Sequence, residues 1–426
     1  MTVINTSIDK QVSIYMHGSE FGDPQIKEMM AQDLRQKLIE AKAEGRPLRV
    51  YCGYDVTAPD IHLGHMVILR KMRQFQDFGH DVTFLIGTFT TLIGDPSDRD
   101  EARSIALEKE IKKNAQTYAD QALKILDPEK TKIRYNYEWL SKLSFADVIS
   151  MASCFTVQQF LVRDRLRNRY EKNDPIWLRE LLYPLAQGYD AVSLQADVQI
   201  GATEQLFNLM AGRRLQEAFG QKPQVCITYP VLVGTDGVQR MSKTTGNYIG
   251  VDESPEQIYG KVMSITDGLI MLYFELLTDV TDKELKEFKK QLDDGINPMT
   301  LKKRLAKDIV TQLYSNKDAT EAENHFEKVV QKKELPEEIQ EKHISFKKFG
   351  ALLVDAAEGT TNKGVSIGHM LVAIDLVKSR SEAIRLIQQR AVSIDGEKIE
   401  TSFAPIKSGS IIQVGKRRFV KVINTD

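Results

Sequence analysis

Three cysteines, Cys52, Cys154 and Cys226, are too few and too scattered for a disulfide framework or a cysteine-rich zinc site, and they point to a reducing compartment, the cytoplasm. No run approaches 18 consecutive apolar residues, which excludes a membrane-spanning helix, and the first residues lack the apolar stretch of an export signal. The expectation is a soluble, cytoplasmic protein. An excess of one charge is also missing. With 58 Lys and Arg against 59 Asp and Glu, the chain as a whole is not a polycation built to coat nucleic acid. The balance breaks locally, because residues 363–426 hold 11 Lys/Arg against 6 Asp/Glu, and an anionic polymer would dock there. Repeats and low-complexity segments are absent, and 426 residues suit two or three domains.

What is present is a change of periodicity along the chain. Residues 48–52 form a short apolar run ended by Gly53, and Asp81–Ile86 form another ended by Gly87. Between them Val67, Ile68, Leu69, Met72 and Phe75 recur at helical spacing, and Gly79 follows as a left-handed C-cap. Strand, helix, strand predicts a parallel sheet with a right-handed crossover, and 198–201 and 225–228 supply further strands. Ligands of such sheets sit beyond the carboxyl ends of the strands. From about Asp236 long charged amphipathic helices take over, with Leu285, Phe288 and Leu292 on one stripe. Residues 332–347, rich in Glu and Lys around Pro336, read as a connector. Beyond Gly364 a compact last domain is expected, with a capping box at 379–382 and a hairpin over 392–399 turning at Asp395-Gly396.

Two motifs carry chemistry. Ala58-Pro59-Asp60-Ile61-His62-Leu63-Gly64-His65 places two histidines where that first helix begins, and Arg240-Met241-Ser242-Lys243-Thr244 lies about 180 residues later, in a loop with Gly246. H-x-G-H alone is weak, expected by chance in roughly one such chain in a hundred, and two histidines bonding locally at a helix start are its bland explanation. Together and in this order the motifs resemble the HIGH and KMSKS signatures of class I aminoacyl-tRNA synthetases. Ile93-Gly94-Asp95-Pro96-Ser97, the run Tyr183-Pro184-Leu185-Ala186-Gln187-Gly188-Tyr189-Asp190 and an S4-like stretch over 364–422 extend the resemblance along nearly the whole chain. It is similar to the tyrosyl-tRNA synthetases of the bacterial form whose second motif contains MSK.

That resemblance implies an α/β architecture. A Rossmann-like parallel-sheet catalytic domain would span 1–235, with a dimerisation insertion around 130–175. The signature loop and an α-helical anticodon-binding domain would span 236–331, a linker 332–363, and a small α+β S4 RNA-binding domain 364–426. ATP with Mg²⁺, L-tyrosine and tRNA(Tyr) are the implied substrates, and a homodimer with no membrane and no tightly bound metal is the implied assembly.

Amino-acid activation is an in-line attack of a carboxylate on the α-phosphorus of ATP. The nucleophile is already anionic, so the demand is for prearranged donors and cations around the phosphates and not for a strong base. A helix N-terminus offers free N–H groups, and His62 and His65 add donors there. Gly64 lets a nucleotide approach the backbone. Lys243 can swing onto the departing pyrophosphate, and Arg240 is a second cation. The resemblance adds Thr57, Arg99 and Arg103 near the phosphates. It gives the nucleotide site Cys52, Gly53, Asp55, Gly201, Glu204, Gln205, Met241 and Thr244.

Tyr183, Gln187 and Asp190 fall at i, i+4 and i+7 and so share one side of a helix. By resemblance Tyr183, Gln187 and Asp95 hold the α-ammonium of tyrosine, Asp190 accepts the phenol's hydrogen bond, and Tyr51 is a second phenol partner. Arg380, Arg385 and Arg390 are the RNA-binding candidates; at i, i+5 and i+10 they need not share one helix face.

Four positions depart from the family pattern. Ala202 and Asp98 stand where glycine is usual, Glu204 where Asp is usual, and Arg240 where lysine is usual. The extra methylene of Glu204 moves its carboxylate by about 1.5 Å, and Arg for Lys conserves charge but not geometry. No essential cation is lost. Three other readings stand beside this one: a paralogue acting on a tyrosine analogue, an idle RNA-binding or splicing protein, and a different nucleotidylyltransferase sharing H-x-G-H. Intact His62, His65 and Lys243 argue against the second, and Asp190 with the S4-like tail against the third.

Overall fold

A computed structural model describes residues 6–56, 60–95, 108–162, 164–331, 339–349, 352–354, 362–415 and 418–426. Thr57, Asp98, Arg99 and Arg103 lie outside the described residues. The chain forms two compact units, Met1–Ala319 and Thr320–Asp426.

The first unit is organised by five parallel strands: β1 (Arg49–Tyr54), β2 (Asp81–Ile86), β3 (Thr131–Tyr135), β4 (Val198–Ala202) and β5 (Val225–Tyr229), in the order β3-β2-β1-β4-β5. Every residue of β5 is buried, as are Val50, Tyr51, Cys52 and Tyr54 of β1, because strands covered on both faces need near-continuous apolar sequence. β1 pairs with β2 from Arg49↔Asp81 to Tyr54↔Ile86 and with β4 through Val50↔Val198. Strand order reverses at β1, so a crevice opens past the carboxyl ends of β1 and β4.

Helices α1 (Ile8–Met16), α2 (Pro24–Ala43) and α3 (Leu63–Asp77) pack around this sheet. α3 stops before Gly79, whose φ of 83° suits glycine. Its residues Leu63, Met66, Leu69, Met72 and Phe75 are fully buried, each worth roughly 1.5–3 kcal/mol of apolar burial. Tyr15 of α1 stacks on Phe75 with ring centroids 3.7 Å apart. Two cations of α3 are buried as well. Lys71 donates to the Ile14 carbonyl at 3.1 Å, and burial lowers its pKa to about 7. Arg70 donates to the Leu276 carbonyl (3.1 Å) and to Asp279 (2.6 Å), tying α3 to the helices that follow residue 236. The helices from Pro255 to Leu313 accordingly belong to the first compact unit, and no division between units falls at 235/236. Phe288 is buried on its stripe, while Leu285 and Leu292 are half-buried.

In the second unit Ile367, Leu371, Ala383, Ile412 and Val422 are fully buried. Val392–Ile394 and Glu397–Lys398 form the expected hairpin, with Asp395 and Gly396 both at positive φ (51° and 89°), as a type I′ turn requires. Ser379 caps the helix Arg380–Gln388, and Glu382 reaches back to the Lys378 N–H at 2.9 Å, one residue beyond a strict capping box. The linker expected over 332–363 needs correction. Glu341–Ile344 is an edge strand, running parallel to Arg418–Asn424 in the register Lys421↔Glu341 to Asn424↔Ile344. Its polar sequence Glu341-Lys342-His343 has no apolar alternation and buries little, and its partner strand lies far along the chain, so nothing local marks it as a strand.

Candidate active site

The first signature turn is built by the histidines themselves. His62 is the N-cap of α3. Its Nδ1 accepts the Gly64 N–H, and His65 Nδ1 accepts the His62 N–H, both at 3.2 Å. With each Nδ1 occupied as an acceptor, the neutral rings carry hydrogen on Nε2, leaving two N–H donors at the start of the helix. The rings stack 3.9 Å apart. Burial holds both uncharged: His62 is lowered to about 2, with help from His65 and Arg240, and His65 to about 4. A Cβ at Gly64 would stand 2.9 Å from His62 Cε1, so glycine here seats the ring over the turn.

The second motif is zipped to the first. The Leu63 N–H donates to the Ile249 carbonyl (2.9 Å) and the Val251 N–H to the Ile61 carbonyl (3.1 Å), making an antiparallel bridge of His62 with Gly250. Residues 240–246 therefore hang over the His62 turn. Lys243 Nζ bonds Asp60, whose carboxylate raises the lysine's pKa. Arg240 Nη1 meets Glu204 at 3.3 Å. Glu204 and Arg240, two positions where the resemblance leads one to expect Asp and Lys, thus contact each other.

A cleft of about 290 Å³ lies between these parts. Cys52, Gly53 and Asp55 line it from β1 and the segment after it, His62, Gly64 and His65 from the helix start, and Arg240, Met241, Lys243 and Thr244 from the loop. Asp95, Tyr183, Glu204 and Gln205 complete the set of expected residues within it. Burial pushes the Cys52 thiol up to about 12, so it stays protonated.

Tyr183, Gln187 and Asp190 lie on the helix Leu178–Leu194, as their spacing predicts. Of the three, Tyr183 lines the cleft, and its hydroxyl donates to Asp55 Oδ2 at 3.0 Å. Gln187 connects inward: Asn208 Nδ2 donates to Gln187 Oε1 (3.2 Å) and to Asp95 Oδ1 (3.4 Å), while Gln205 Nε2 donates to Asp95 Oδ2 (3.3 Å). Asp190 is buried behind the cleft, receiving the Trp139 indole N–H (2.8 Å) and the Asn136 amide (3.3 Å). Burial raises its pKa to about 8 against those two bonds, and Asp55 adds to the rise. Tyr51 is fully buried, and burial followed by Asp190 raises its phenol. Its hydroxyl makes no hydrogen bond of good geometry among the described residues, the Gln224 amide being the stabilising group beside it. Gln187, Asp190, Tyr51 and Gly201 do not line the cleft.

Asp60 stands within the first motif but was given no role, and sequence reasoning missed Asn136, Trp139 and Asn208 altogether. Each acts by meeting a residue distant in sequence, and none carries a local pattern that would announce it. In the second unit Arg380, Arg385 and Arg390 are all exposed, and Arg390 pairs with Glu400 at 2.9 Å.

Comparison with known proteins agrees with this geometry. A family model described as tRNA synthetases class I (W and Y) matches residues 42–331. The chain is 48% identical to a tyrosine–tRNA ligase of Carboxydothermus hydrogenoformans, over 92% of this chain and 94% of that protein. It is 46% identical to one of Dehalococcoides mccartyi, over 93% and 96%. Among solved structures, the tyrosyl-tRNA synthetase of Archaeoglobus fulgidus superposes with a TM-score of 0.57 at 24% identity, covering 74% of this chain and all of that one, a likeness of fold. The chain belongs to the class I tRNA synthetases, in the tyrosine–tRNA ligase family.

Proposed function

We propose that this chain activates L-tyrosine with ATP to tyrosyl-adenylate and pyrophosphate, then passes tyrosyl to the 3′-terminal ribose of tRNA(Tyr). The observation that carries this is the bridge of His62 with Gly250, which sets two Nε2–H donors and a helix N-terminus beneath a loop bearing Arg240 and Lys243. ATP would lie along the cleft with its phosphates toward that corner, and Mg²⁺ enters bound to those phosphates, as part of the substrate. Neutral histidines suit this role, because each donates its Nε2–H to a phosphate oxygen and has no acidic imidazolium proton to give up near neutral pH. Lys243 leaves Asp60 to follow the departing pyrophosphate. Asp95 and Tyr183 face the α-ammonium, with Gln187 behind them through Asn208. Asp190 accepts the phenol hydrogen bond.

Transfer needs RNA. Residues 363–426 of the second unit, with 11 Lys/Arg against 6 Asp/Glu and with Arg380, Arg385 and Arg390 exposed, are the surface we assign to tRNA, and the charge excess there makes that contact salt-sensitive. A homodimer is supported by the apolar side chains left exposed between 137 and 178, among them Phe145 (80%), Leu178 (74%), Val162, Tyr170 and Trp177. None of the helices in the described residues is long and apolar enough to cross a membrane. Pyrophosphate exchange measured with each of the twenty amino acids tests the reading: tyrosine alone should drive exchange, and exchange with another amino acid, or with none, refutes it.

A further inference from the structure

The arm that carries Arg240 and Lys243 is rooted on one side chain. Asn247 is buried, and its amide meets groups on both limbs of the loop. Oδ1 accepts from the Ser242 N–H (2.8 Å) and the Thr245 hydroxyl (2.7 Å). Nδ2 donates to Asp236 Oδ2 (2.8 Å), the Arg240 carbonyl (3.1 Å) and the Gln239 carbonyl (3.3 Å). The backbone carbonyl of Asn247 accepts the Thr235 N–H at 2.9 Å, and a Cβ on Gly234 would collide with the Asn247 side chain. Asp236, in turn, accepts the Val238 and Gln239 N–H groups at 3.0 and 3.1 Å. This placement demands an acceptor and two donor hydrogens on one flat group, which an amide has and a carboxylate or aliphatic chain lacks. Beyond the root, Lys243 and Thr244 are exposed.

We propose that Asn247 is a positioning residue of the activation step: it fixes both roots of the arm, so that Arg240 stays against Glu204 while Lys243 travels between Asp60 and the phosphates along one path. Asn247 lies outside the cleft lining and acts through Arg240 and Lys243. The inference rests on the assignment of Lys243 to the phosphates.

The test compares Asn247→Ala, Asn247→Asp, the swap Asp236→Asn/Asn247→Asp, and Lys243→Ala in the full chain. Four quantities are read for each: kcat and the ATP KM in tyrosine-dependent pyrophosphate exchange, the tyrosine dissociation constant by intrinsic fluorescence, and the melting temperature. Misplacing a catalytic group by about 1 Å costs on the order of 100-fold, so Asn247→Ala should lower kcat by about 10- to 100-fold with tyrosine affinity within about twofold of wild type. Asn247→Asp should be worse, since its carboxylate would face Asp236 and two carbonyls. The swap restores a donor opposite an acceptor and should recover about tenfold over Asn247→Asp. A kcat for Asn247→Ala within about threefold of wild type while Lys243→Ala is slow would overturn the inference; so would a swap no better than Asn247→Asp, or a tyrosine affinity that falls in step with kcat. Wild-type exchange in Lys243→Ala removes the catalytic assignment of the loop, and this role for Asn247 with it.

Discussion

Replacing Asp190 by Asn isolates a buried carboxyl that couples stability to pH and that the proposed function makes the acceptor of the tyrosine phenol. Burial lifts Asp190 from 3.8 to about 8, and the bonds from Trp139 and Asn136 offset only part of that rise. Between these two values the native state holds a proton that the unfolded chain has released, so stability falls as pH rises through the window and has been lost once pH passes about 8. From pH 5 to 8.5 the wild type should lose roughly 4 kcal/mol through this one group. Asn has nearly the same shape and no proton to release, so Asp190→Asn should abolish this slope and be the more stable protein at pH 8.5. Specificity should move the other way. At pH 8.5, above the value of about 8, Asp190 is largely ionised, and the variant exchanges a charged acceptor for the tyrosine phenol for a neutral one, a loss of about 1–2 kcal/mol, or roughly 5- to 30-fold in kcat/KM for tyrosine, while phenylalanine activation stays level; at pH 7 both acceptors are neutral and the loss should shrink. Urea unfolding at pH 5 and 8.5, with pyrophosphate exchange on both amino acids, measures both effects. Parallel stability profiles for the two proteins, or equal losses on tyrosine and phenylalanine, would refute the reasoning.

Lys243→Ala and His62→Ala should each slow tyrosyl-adenylate formation by about 10- to 1000-fold in rapid-quench assays, with tyrosine binding unchanged; wild-type rates in both would remove the loop and helix start from the chemistry. Glu204→Asp draws the carboxylate back from Arg240 by about 1.5 Å, and because it recreates the usual family residue, ATP use should be preserved or improved; a severe loss would mean that the pocket has been rebuilt around the longer acid. Removing 332–426, which takes the edge strand Glu341–Ile344 together with its sheet, should preserve pyrophosphate exchange and weaken tRNA charging, the lost affinity being the salt-dependent part; unchanged charging at physiological salt counts against the tRNA assignment. Leu178→Glu places a charge on the exposed apolar face and should shift sedimentation from dimer to monomer; a wild-type profile would direct attention to another surface.

The parallel core was legible because its signals are local. Runs bounded by glycine or proline located β1, β2, β4 and β5 to within a residue or two, and the spacing of Val67 to Phe75 located α3. The spacing of Tyr183, Gln187 and Asp190 placed all three on one helix, yet spacing says nothing about depth, and Asp190 lies behind the cleft that Tyr183 lines. β3 and the strand Glu341–Ile344 went unread because each is a short edge strand that carries charged residues and buries little. Asn136, Trp139 and Asn247, and the partner of Asp60, went unread for a different reason: a polar residue that completes a hydrogen-bond network is specified by its partners, and those are assembled only in three dimensions.

The stacked imidazoles of His62 and His65 have a consequence for acid. Histidine is the usual suspect for the acid limb of a rate profile, but here both rings stay uncharged down to about pH 4, and the nucleotide corner offers the same donors at pH 5 as at pH 8. The unfolded chain behaves differently, because its histidines take up protons below about 6.5. Between that value and about 4 the unfolded state therefore gains protons that the native state refuses, and stability drains away as pH falls. Mild acid should thus leave each folded molecule's histidine corner chemically unchanged while lowering the number of molecules that are folded.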